Sequence, residues 1–301
     1  MGSDSRPVDA NDSWPAGRES ARATGNGLFA GLGVRFARML WMAVAQSDPL
    51  WIALDGAVNA RVVVPGVLLR SDNLQGLSAR DVHLLIGDHR LELVLDLRTE
   101  FEVASEGPGP MTGEASVRIE HRSLYPNSAS PELDAATVVP YWPPPDDEWP
   151  DEPPAVRSYM SYLRRRPDSI VESIRAIARS DGAVLVHCAA GKDRTGVVVG
   201  LALHAAGVDH QVIVGDYLAT GERIDAIIAR LVSSPTYREQ LEGHDPRRHA
   251  PLPGTMERVL ELVDQEFGGS VAWASAHGLT NDDLELLRRR LAPARLGPET
   301  R

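Results

Sequence analysis

The chain is poor in several residue types, and each shortage excludes a class of protein or site. Cys188 is the only cysteine among 301 residues, so the protein has no intrachain disulfide and no cysteine-rich zinc or iron–sulfur site. Lysine is equally scarce, because Lys192 is the only lysine and every other basic residue is an arginine. The only cysteine and the only lysine therefore lie four positions apart.

Positive charge is also in short supply. The chain has 31 basic and 42 acidic residues, which gives a formal net charge of −11. This sign disfavours nucleic acid or an anionic lipid surface as the main partner, so we expect no nucleic-acid partner. An anionic ligand would need a local cluster of donors. Apolar residues make up 43% of the chain, which is enough for a buried core.

A long uninterrupted hydrophobic run is missing as well. The apolar stretch at 28–45 contains Arg35 and Arg38, whereas a membrane-spanning helix needs about 20 predominantly apolar residues. We therefore predict no stable membrane span. The spacing of the apolar residues favours an N-terminal amphipathic helix over residues 28–50. A secretory signal is the weaker alternative, because its uncharged core would be short.

The first 27 residues have little apolar content. Residues 1–27 consist largely of Gly, Ser, Asp, Asn and Arg, a composition that predicts a disordered leader. With no convincing export signal, the expected compartment is the cytoplasm, and export without a recognisable signal is the alternative. The sequence predicts no particular oligomeric state.

From about residue 50, short apolar runs alternate with amphipathic helices, which is typical of an α/β fold with a sheet and helical crossovers. Residues 91–97 and 183–186 read as strands, the second buried on both faces. Pro167 separates two segments with apolar residues at helical spacing. A further helix carries the apolar stripe from Met256 to Phe267, and another begins at Thr280 with a capping box.

One segment interrupts this rhythm. Residues 139–155 contain seven prolines and five acidic residues, so they can form neither a helix nor a central strand. The simpler prediction is an extended surface linker. The alternative is a mobile lid whose aromatic residues Tyr141, Trp142 and Trp149 cover a pocket, which would make 124–155 a lid insertion.

The most informative run is 183–207. A strand ends at His187 and Cys188, and an apolar helix opens at Thr195-Gly196 and ends at Gly207. The loop between them begins with the small residues Ala189, Ala190 and Gly191. Inward-facing loop amides, the first amides of the helix and the helix dipole would all favour an oxyanion in the same small volume. The run therefore predicts an anion cradle.

Reactive side chains lie within this cradle. Arg194 follows Cys188 by six positions and can hold two phosphate oxygens with its planar guanidinium. The same positive field favours the thiolate of Cys188, which makes it a candidate nucleophile. Thr195 can donate its hydroxyl to the sulfur, and we expect His187 to brace the loop by hydrogen bonding rather than to transfer protons.

Two other loop types do not fit the spacing. A nucleotide-binding loop needs a glycine and a Ser or Thr where this chain has Val186 and Asp193, and a sulfurtransferase loop would have four residues between Cys and Arg. The run His-Cys-X5-Arg-Thr-Gly resembles the cysteine-dependent tyrosine phosphatases. It is most similar to their atypical bacterial branch, which has mycobacterial members and acts on phosphoproteins and phosphoinositides.

The resemblance extends over about 51–295, the predicted phosphatase domain. It also includes the following runs: Arg70-Ser71-Asp72, Asp96-Leu97-Arg98, Glu102-Val103, Gly107-Pro108-Gly109 and Asp216-Tyr217-Leu218. Asn59-Ala60-Arg61-Val62 departs from the family's Asn-Phe-Arg-Asp element. The resemblance implies a cysteine-phosphatase fold with a central, mostly parallel sheet, flanking helices and a helical or proline-rich lid. It also implies a phosphocysteine intermediate and neither metal nor other cofactor.

A phosphatase also needs an acid for the leaving oxygen and a base for water. Asp96 ends a strand whose carboxyl end should line the same crevice as Cys188, although it could instead partner Arg98. Asp193 lies in the loop and resembles the in-loop aspartate of this branch, although it could instead form a bracing salt bridge. The sequence does not decide between these two carboxylates.

Substrate contacts are expected from residues 189–192, Thr195 and Arg98. Lys192 would add a second positive charge, as in phosphoinositide-active relatives. The leading hypothesis is thus a phosphatase of phosphotyrosine proteins, phosphoinositides or both. One alternative is a phosphate-binding regulatory module without turnover, and another is a phosphatase of a small phosphate ester.

Overall fold

A computed structural model describes residues 48–107, 109–125 and 148–292. The predicted leader at 1–27, nearly all of the predicted helix at 28–50 and most of the predicted lid at 124–155 lie outside these residues. Leu50 belongs to a strand and pairs with Val62, so the predicted helix is wrong at residue 50.

Six strands form one mixed sheet. They are β1 (Leu50–Trp51), β2 (Arg61–Val64), β3 (Leu68–Ser71), β4 (Leu91–Asp96), β5 (Arg118–His121) and β6 (Ala183–His187). The order across the sheet is β1-β2-β3-β6-β4-β5. The first three strands are antiparallel, and β3, β6, β4 and β5 run parallel to one another. The predicted α/β class with a mostly parallel sheet is confirmed.

Helices flank this sheet. Those in the first part of the described chain are α1 (Ala79–Gly87), α2 (Glu100–Glu106), α3 (Pro154–Arg165), α4 (Pro167–Arg179) and α5 (Asp193–Ala206). The remaining described helices are α6 (His210–Ala219), α7 (Ile224–Ser233), α8 (Pro235–Leu241), α9 (Thr255–Phe267), α10 (Ser270–Ala276) and α11 (Asn281–Leu291). None of these described helices is both long and apolar enough to cross a membrane.

Several helix boundaries follow from local sequence, as predicted. Pro167 opens α4, where its missing amide costs no hydrogen bond. Thr280 and Asp283 form the reciprocal capping box of α11. Gly207 ends α5 in the left-handed conformation with φ of +83°, which glycine adopts without a steric penalty.

The parallel strands bring three loops to one edge of the sheet. Ser71 of β3 and Asp96 of β4 are both in register with His187 of β6. The segments that follow these strands therefore leave the sheet side by side. All five residues of β6 are buried, and nearly every residue of α5 is buried as well. The loop between β6 and α5 thus has a rigid support on both sides.

Candidate active site

The loop at residues 188–194 turns its carbonyl oxygens outward into hydrogen bonds with neighbouring elements. The pairs are Ala189 O with the Asn73 amide at 2.9 Å, Ala190 O with Asn59 Nδ2 at 2.9 Å, and Gly191 O with an Arg70 amino nitrogen at 2.6 Å. In a trans peptide the C=O and the following N–H point in opposite directions. The amides of 190–192 therefore face the inside of the loop, where no described residue accepts a hydrogen bond from them.

Gly191 makes this curvature possible. Its φ is +67°, and a Cβ at this position would lie 2.3 Å from the Ser71 carbonyl oxygen and 2.8 Å from Asn59 Nδ2. Both the left-handed backbone and the close approach of Ser71 require the residue without a side chain. Of the small residues predicted to let the backbone bend around a ligand, Gly191 is the one that a side chain could not replace without a clash.

The first turn of α5 adds further donors. The opening amides of a helix have no intrahelical acceptor, and the dipole places positive charge there. Lys192 at the N-cap supplies no side-chain cap. Thr195 Oγ1 is buried and has no hydrogen-bond partner among the described residues. Loop amides, helix amides and this hydroxyl together form a cradle that suits a tetrahedral oxyanion.

Cys188 lies at the start of the loop, with 2% of its surface exposed. His187 contacts the Cys188 carbonyl oxygen through Nδ1 at 3.2 Å, and its Nε2 lies 3.7 Å from Asp96. Burial lowers the pKa of His187, so the ring is neutral near pH 7. A neutral, buried imidazole that bonds the loop backbone fits the predicted bracing role.

Arg194 points inward and is 5% exposed. Its two amino nitrogens donate to the two Glu102 oxygens at 2.6 and 2.9 Å, while its Nε donates to no described residue. Burial alone would lower the pKa of Arg194, but Glu102 and the Cys188 sulfur raise it well above its usual value. The guanidinium is therefore held charged and oriented, with a donor left for a ligand.

Glu102 orients Arg194, a role that the sequence motifs do not indicate. Its side chain is fully buried, and it accepts from the Thr99 amide at 2.7 Å and the Tyr237 hydroxyl at 3.1 Å as well as from Arg194. Burial opposes ionisation, yet Arg194 lowers the pKa of Glu102. The Thr99-X-X-Glu102 capping box that opens α2 was readable in the sequence. Its pairing with Arg194, 92 residues further along the chain, could not be recognised from the sequence.

Asp96 and Arg98 form an ion pair with each other. Arg98 donates to the Asp96 carboxylate through Nε at 2.9 Å and an amino nitrogen at 2.6 Å, and both residues are buried. Burial would raise the pKa of Asp96, but His187, in the acid range where its ring is protonated, and the charge and hydrogen bonds of Arg98 lower it below its usual range. A carboxylate held ionised in this way is a poor proton donor. The geometry favours the alternative in which Asp96 and Arg98 are structural partners.

Asp193 has a different environment. Its side chain is 38% exposed, and one carboxylate oxygen accepts from the Tyr159 hydroxyl at 2.6 Å. The Tyr159 oxygen also lies 2.9 Å from the Tyr217 hydroxyl. Burial and the nearby Asp193 raise the pKa of Tyr159 well above its usual value, so this hydroxyl keeps its proton. Asp193 is thus partly accessible from solvent, and it contacts one neutral hydroxyl and, at 3.5 Å, the Lys192 ammonium.

Lys192 lies beside Asp193 at the rim of the loop. Its Nζ is 3.5 Å from Asp193 and donates to the His249 carbonyl oxygen at 2.7 Å. The side chain is 17% exposed. The Lys192 ammonium is therefore held beside Asp193 by the segment at 246–249, while its contact with a substrate stays a prediction.

A buried charge cluster supports the loop from outside. Arg61 donates to Asp216 at 2.9 Å and to Asn59 Oδ1 at 2.6 Å, and Arg70 also pairs with Asp216. Burial lowers the pKa of Arg61 to about 10 although Asp216 opposes this, so Arg61 stays charged near pH 7. Asn59 and Arg61 belong to the run that departs from the family pattern, and they nevertheless hold the loop.

Both described ends of the predicted lid are anchored near this site. The Tyr125 ring lies 5.6 Å from the Arg194 guanidinium carbon, and its hydroxyl is 2.8 Å from that of Tyr162. At the other end, Glu152 pairs with Arg258 of α9 at 2.6 Å. The lid itself stays a prediction, because 126–147 lie outside the described residues.

These features define a class of protein. The loop surrounds a cysteine with unpaired amide donors at a helix N-terminus and an oriented guanidinium, at the carboxyl edge of a parallel sheet. An α/β fold with this loop is suited to a protein that binds an oxyanion next to a cysteine.

Comparison with known proteins gives the family. Residues 54–293 match the tyrosine phosphatase family. The chain is 32% identical to the triple specificity protein phosphatase PtpB of Mycobacterium tuberculosis over 221 residues, 63% of this chain and 74% of that protein. It is 34% identical to a tyrosine-protein phosphatase of Nostoc commune over 149 residues, 46% of this chain and 49% of that protein. The chain belongs to the tyrosine phosphatase family, so the resemblance inferred from its motifs is confirmed and the protein is a phosphatase.

Proposed function

We propose that the protein hydrolyses phosphate monoesters through a phosphocysteine on Cys188, without a metal ion. The observation that carries this proposal is the outward bonding of the loop carbonyls, which leaves a ring of amides facing inward beside the sulfur. Such preorganised donors stabilise the charge that develops on the phosphoryl oxygens. Arg194, held by Glu102, adds a fixed positive charge to this ring.

In the first step the Cys188 thiolate attacks phosphorus. The S–P bond forms, the ester P–O bond breaks, and the leaving oxygen takes a proton from the carboxyl of Asp193. We assign the acid to Asp193 rather than Asp96, because Asp193 is accessible and adjoins the loop. Asp96 is instead locked in an ion pair with Arg98.

In the second step water attacks the phosphocysteine. The Asp193 carboxylate accepts a proton from that water, a new P–O bond forms and the S–P bond breaks. The products are inorganic phosphate and the thiolate, so protons and electron pairs balance over the cycle. The unpaired hydroxyl of Thr195 is available to donate to the departing sulfur.

We further propose that the substrates include phosphotyrosine proteins and phosphoinositides. The fixed charge of Lys192 beside the loop suits a ligand with more than one anionic group. The relative from Mycobacterium tuberculosis is named a triple specificity protein phosphatase, which is consistent with a broad site.

The test is a substrate panel run on the full chain and on Cys188→Ser. The panel contains a phosphotyrosine peptide, a soluble phosphoinositide headgroup ester, and a small sugar phosphate. We expect turnover of the first two by the parent, loss of at least about 10³-fold in Cys188→Ser, and a mass increase of one phosphoryl group on Cys188 in acid-quenched enzyme.

Each alternative has its own outcome. Orthovanadate binding with no turnover of any ester would indicate a regulatory phosphate-binding module. Turnover of the sugar phosphate alone would indicate a small-ester phosphatase. Near-parental turnover by Cys188→Ser would reject the nucleophile, whatever the substrate.

A further inference from the structure

Three side chains that could bind a metal lie close together at the C-terminal end of α5, the end opposite the loop at residues 188–194. His204 lies in the last turn of α5, His210 is the first residue of α6, and Asp264 lies in α9. Their ligand atoms all fall within 4.8 Å of one another. The cluster is roughly 16 Å along the α5 axis from Asp193, so the phosphatase reaction makes no use of it.

The distances fit a shared ion. The two Nε2 atoms are 3.0 Å apart, and His204 Nε2 lies 3.7 Å from Asp264 Oδ1. Zinc binds imidazole nitrogen and carboxylate oxygen at about 2.0–2.2 Å, which places ligand atoms around one ion about 3–3.5 Å apart. The two rings meet at 77° with centroids 4.6 Å apart. They therefore approach at an angle and not end to end, so both nitrogens can face a common point.

Local structure brings the two histidines together. Gly207 ends α5 in the left-handed conformation, and the chain then turns into α6 within three residues. The Ser270 hydroxyl, 2% exposed, lies 2.8 Å from His204 Nδ1. A proton on Nδ1 bonded to Ser270 leaves the lone pair on Nε2, which is how outer partners orient histidine ligands.

We propose that His204, His210 and Asp264 bind one divalent transition-metal ion of the zinc type. Two imidazole nitrogens favour zinc, nickel or copper over magnesium and calcium, which prefer oxygen ligands. Asp264 supplies the negative charge, and among the described residues its carboxylate pairs with His204 alone. Water would complete the coordination, because His210 and Asp264 are exposed. The ion would join α5, α6 and α9.

The test measures metal binding and thermal stability in the full chain without a polyhistidine tag. A Cys188→Ser background removes the only thiol in the sequence, which could bind the metal as a thiolate. With zinc or nickel chloride we expect one bound ion per chain by calorimetry and a rise in Tm of at least about 3 °C at saturating metal. Magnesium chloride should produce neither effect.

Variants separate this site from general metal adsorption. His210→Ala and Asp264→Asn change exposed side chains, and each should lower the affinity at least about tenfold, as Ser270→Ala should do through the ligand's partner. His83→Ala removes a single exposed histidine on α1 and should bind like the parent. Binding that persists unchanged in both His210→Ala and Asp264→Asn, or no one-to-one binding by the parent, would show that the histidines form only a hydrogen-bonded pair.

Discussion

Two loops leave the sheet side by side, but their polar groups find hydrogen-bond partners in different ways. After β4, Asp96 and Arg98 satisfy each other's charges within a three-residue span. After β6, the loop carbonyls bond to residues from distant segments, while the inward amides find no acceptor among the described residues. The register Asp96 to His187 places both at the same edge. Position at the carboxyl edge is therefore insufficient for a binding site.

The difference lies in where the partners come from. The pair after β4 is local, and Arg98 engages both oxygens of the Asp96 carboxylate, so only one buried amino nitrogen of Arg98 is left without a partner among the described residues. The loop after β6 is held from outside by Asn59, Arg70 and Glu102, so its donors are fixed and remain open on the inside. Preorganised, unsatisfied donors are what a site for an anion needs.

The largest expected effect distinguishes the two arginines. Arg194→Lys keeps a positive charge but loses the planar guanidinium that Glu102 orients. We expect kcat/KM for a phosphotyrosine peptide to fall about 10³-fold, which is about 4 kcal/mol of transition-state stabilisation. Arg98→Lys should cost far less kcat/KM and show mainly as a lower Tm. Equal losses of kcat/KM in the two variants would contradict the contrast between the loops.

The next prediction distinguishes the two carboxylates. Asp193→Asn removes the proposed acid, so kcat/KM, which reports the leaving-group step, should fall about 10²-fold for phenyl phosphate, whose leaving group needs a proton. The loss should be smaller for p-nitrophenyl phosphate, whose leaving group departs as a stable anion. Steady-state kinetics with both esters measures this ratio. If Asp96→Asn shows the same dependence on the leaving group, the general acid is Asp96, at the end of β4, and not Asp193.

Asp96→Asn should act on stability instead. It leaves the buried Arg98 without its counter-charge, at a cost of about 3 kcal/mol in unfolding free energy. Although burial opposes it, His187 and Arg98 depress the folded-state pKa of Asp96. The ionised carboxylate therefore contributes its full stability above the unfolded value of about 3.9 and loses it as the pH falls toward the folded value. The stability difference between parent and variant should therefore shrink below about pH 4.

Much of this contrast could be predicted from local sequence. The strands after residues 91 and 183, the helix opened by Pro167, and the end of α5 at Gly207 follow from periodicity and capping residues. Cys188 and Arg194 were recognisable because strand, loop and helix are contiguous in the chain. Local sequence patterns predict these strands, helix boundaries and the loop because each is determined by residues only a few positions apart.

The partners that hold the loop could not be predicted in this way. Glu102 lies 92 residues from Arg194, and Asn59 lies 131 residues from Ala190. These pairs depend on the order of strands in the sheet, which periodicity does not encode. The choice between Asp96 and Asp193 was open for the same reason, since it rests on which side chains surround each carboxylate.

A glycine pair tests how tightly the loop is held from outside. Gly191 and Gly66 have nearly the same φ, +67° and +68°, but only Gly191 has backbone atoms within reach of a Cβ. Gly66→Ala should cost about 1 kcal/mol for the left-handed conformation alone. Gly191→Ala should cost about 2 kcal/mol more, because Ser71 must move. Urea unfolding measures both, and equal costs would show that the loop can relax away from Ser71.

The smallest effect concerns the hydroxyl that holds Asp193. Tyr159→Phe removes the 2.6 Å hydrogen bond to that carboxylate but keeps the stacked ring. We expect kcat/KM to fall about fivefold to tenfold, close to the 1 kcal/mol of one hydrogen bond. The loss should be greater for phenyl phosphate than for p-nitrophenyl phosphate, which a purely structural role would not produce.

Tyr162→Phe is the matched control for this tyrosine. It also removes a buried hydroxyl, but its partner is Tyr125 and not Asp193. Both variants should lose a similar amount of unfolding free energy, about 1 kcal/mol, so stability alone does not separate them. Only Tyr159→Phe should make kcat/KM depend more steeply on the leaving group. If the two variants show the same dependence, Asp193 is positioned by the loop backbone rather than by Tyr159.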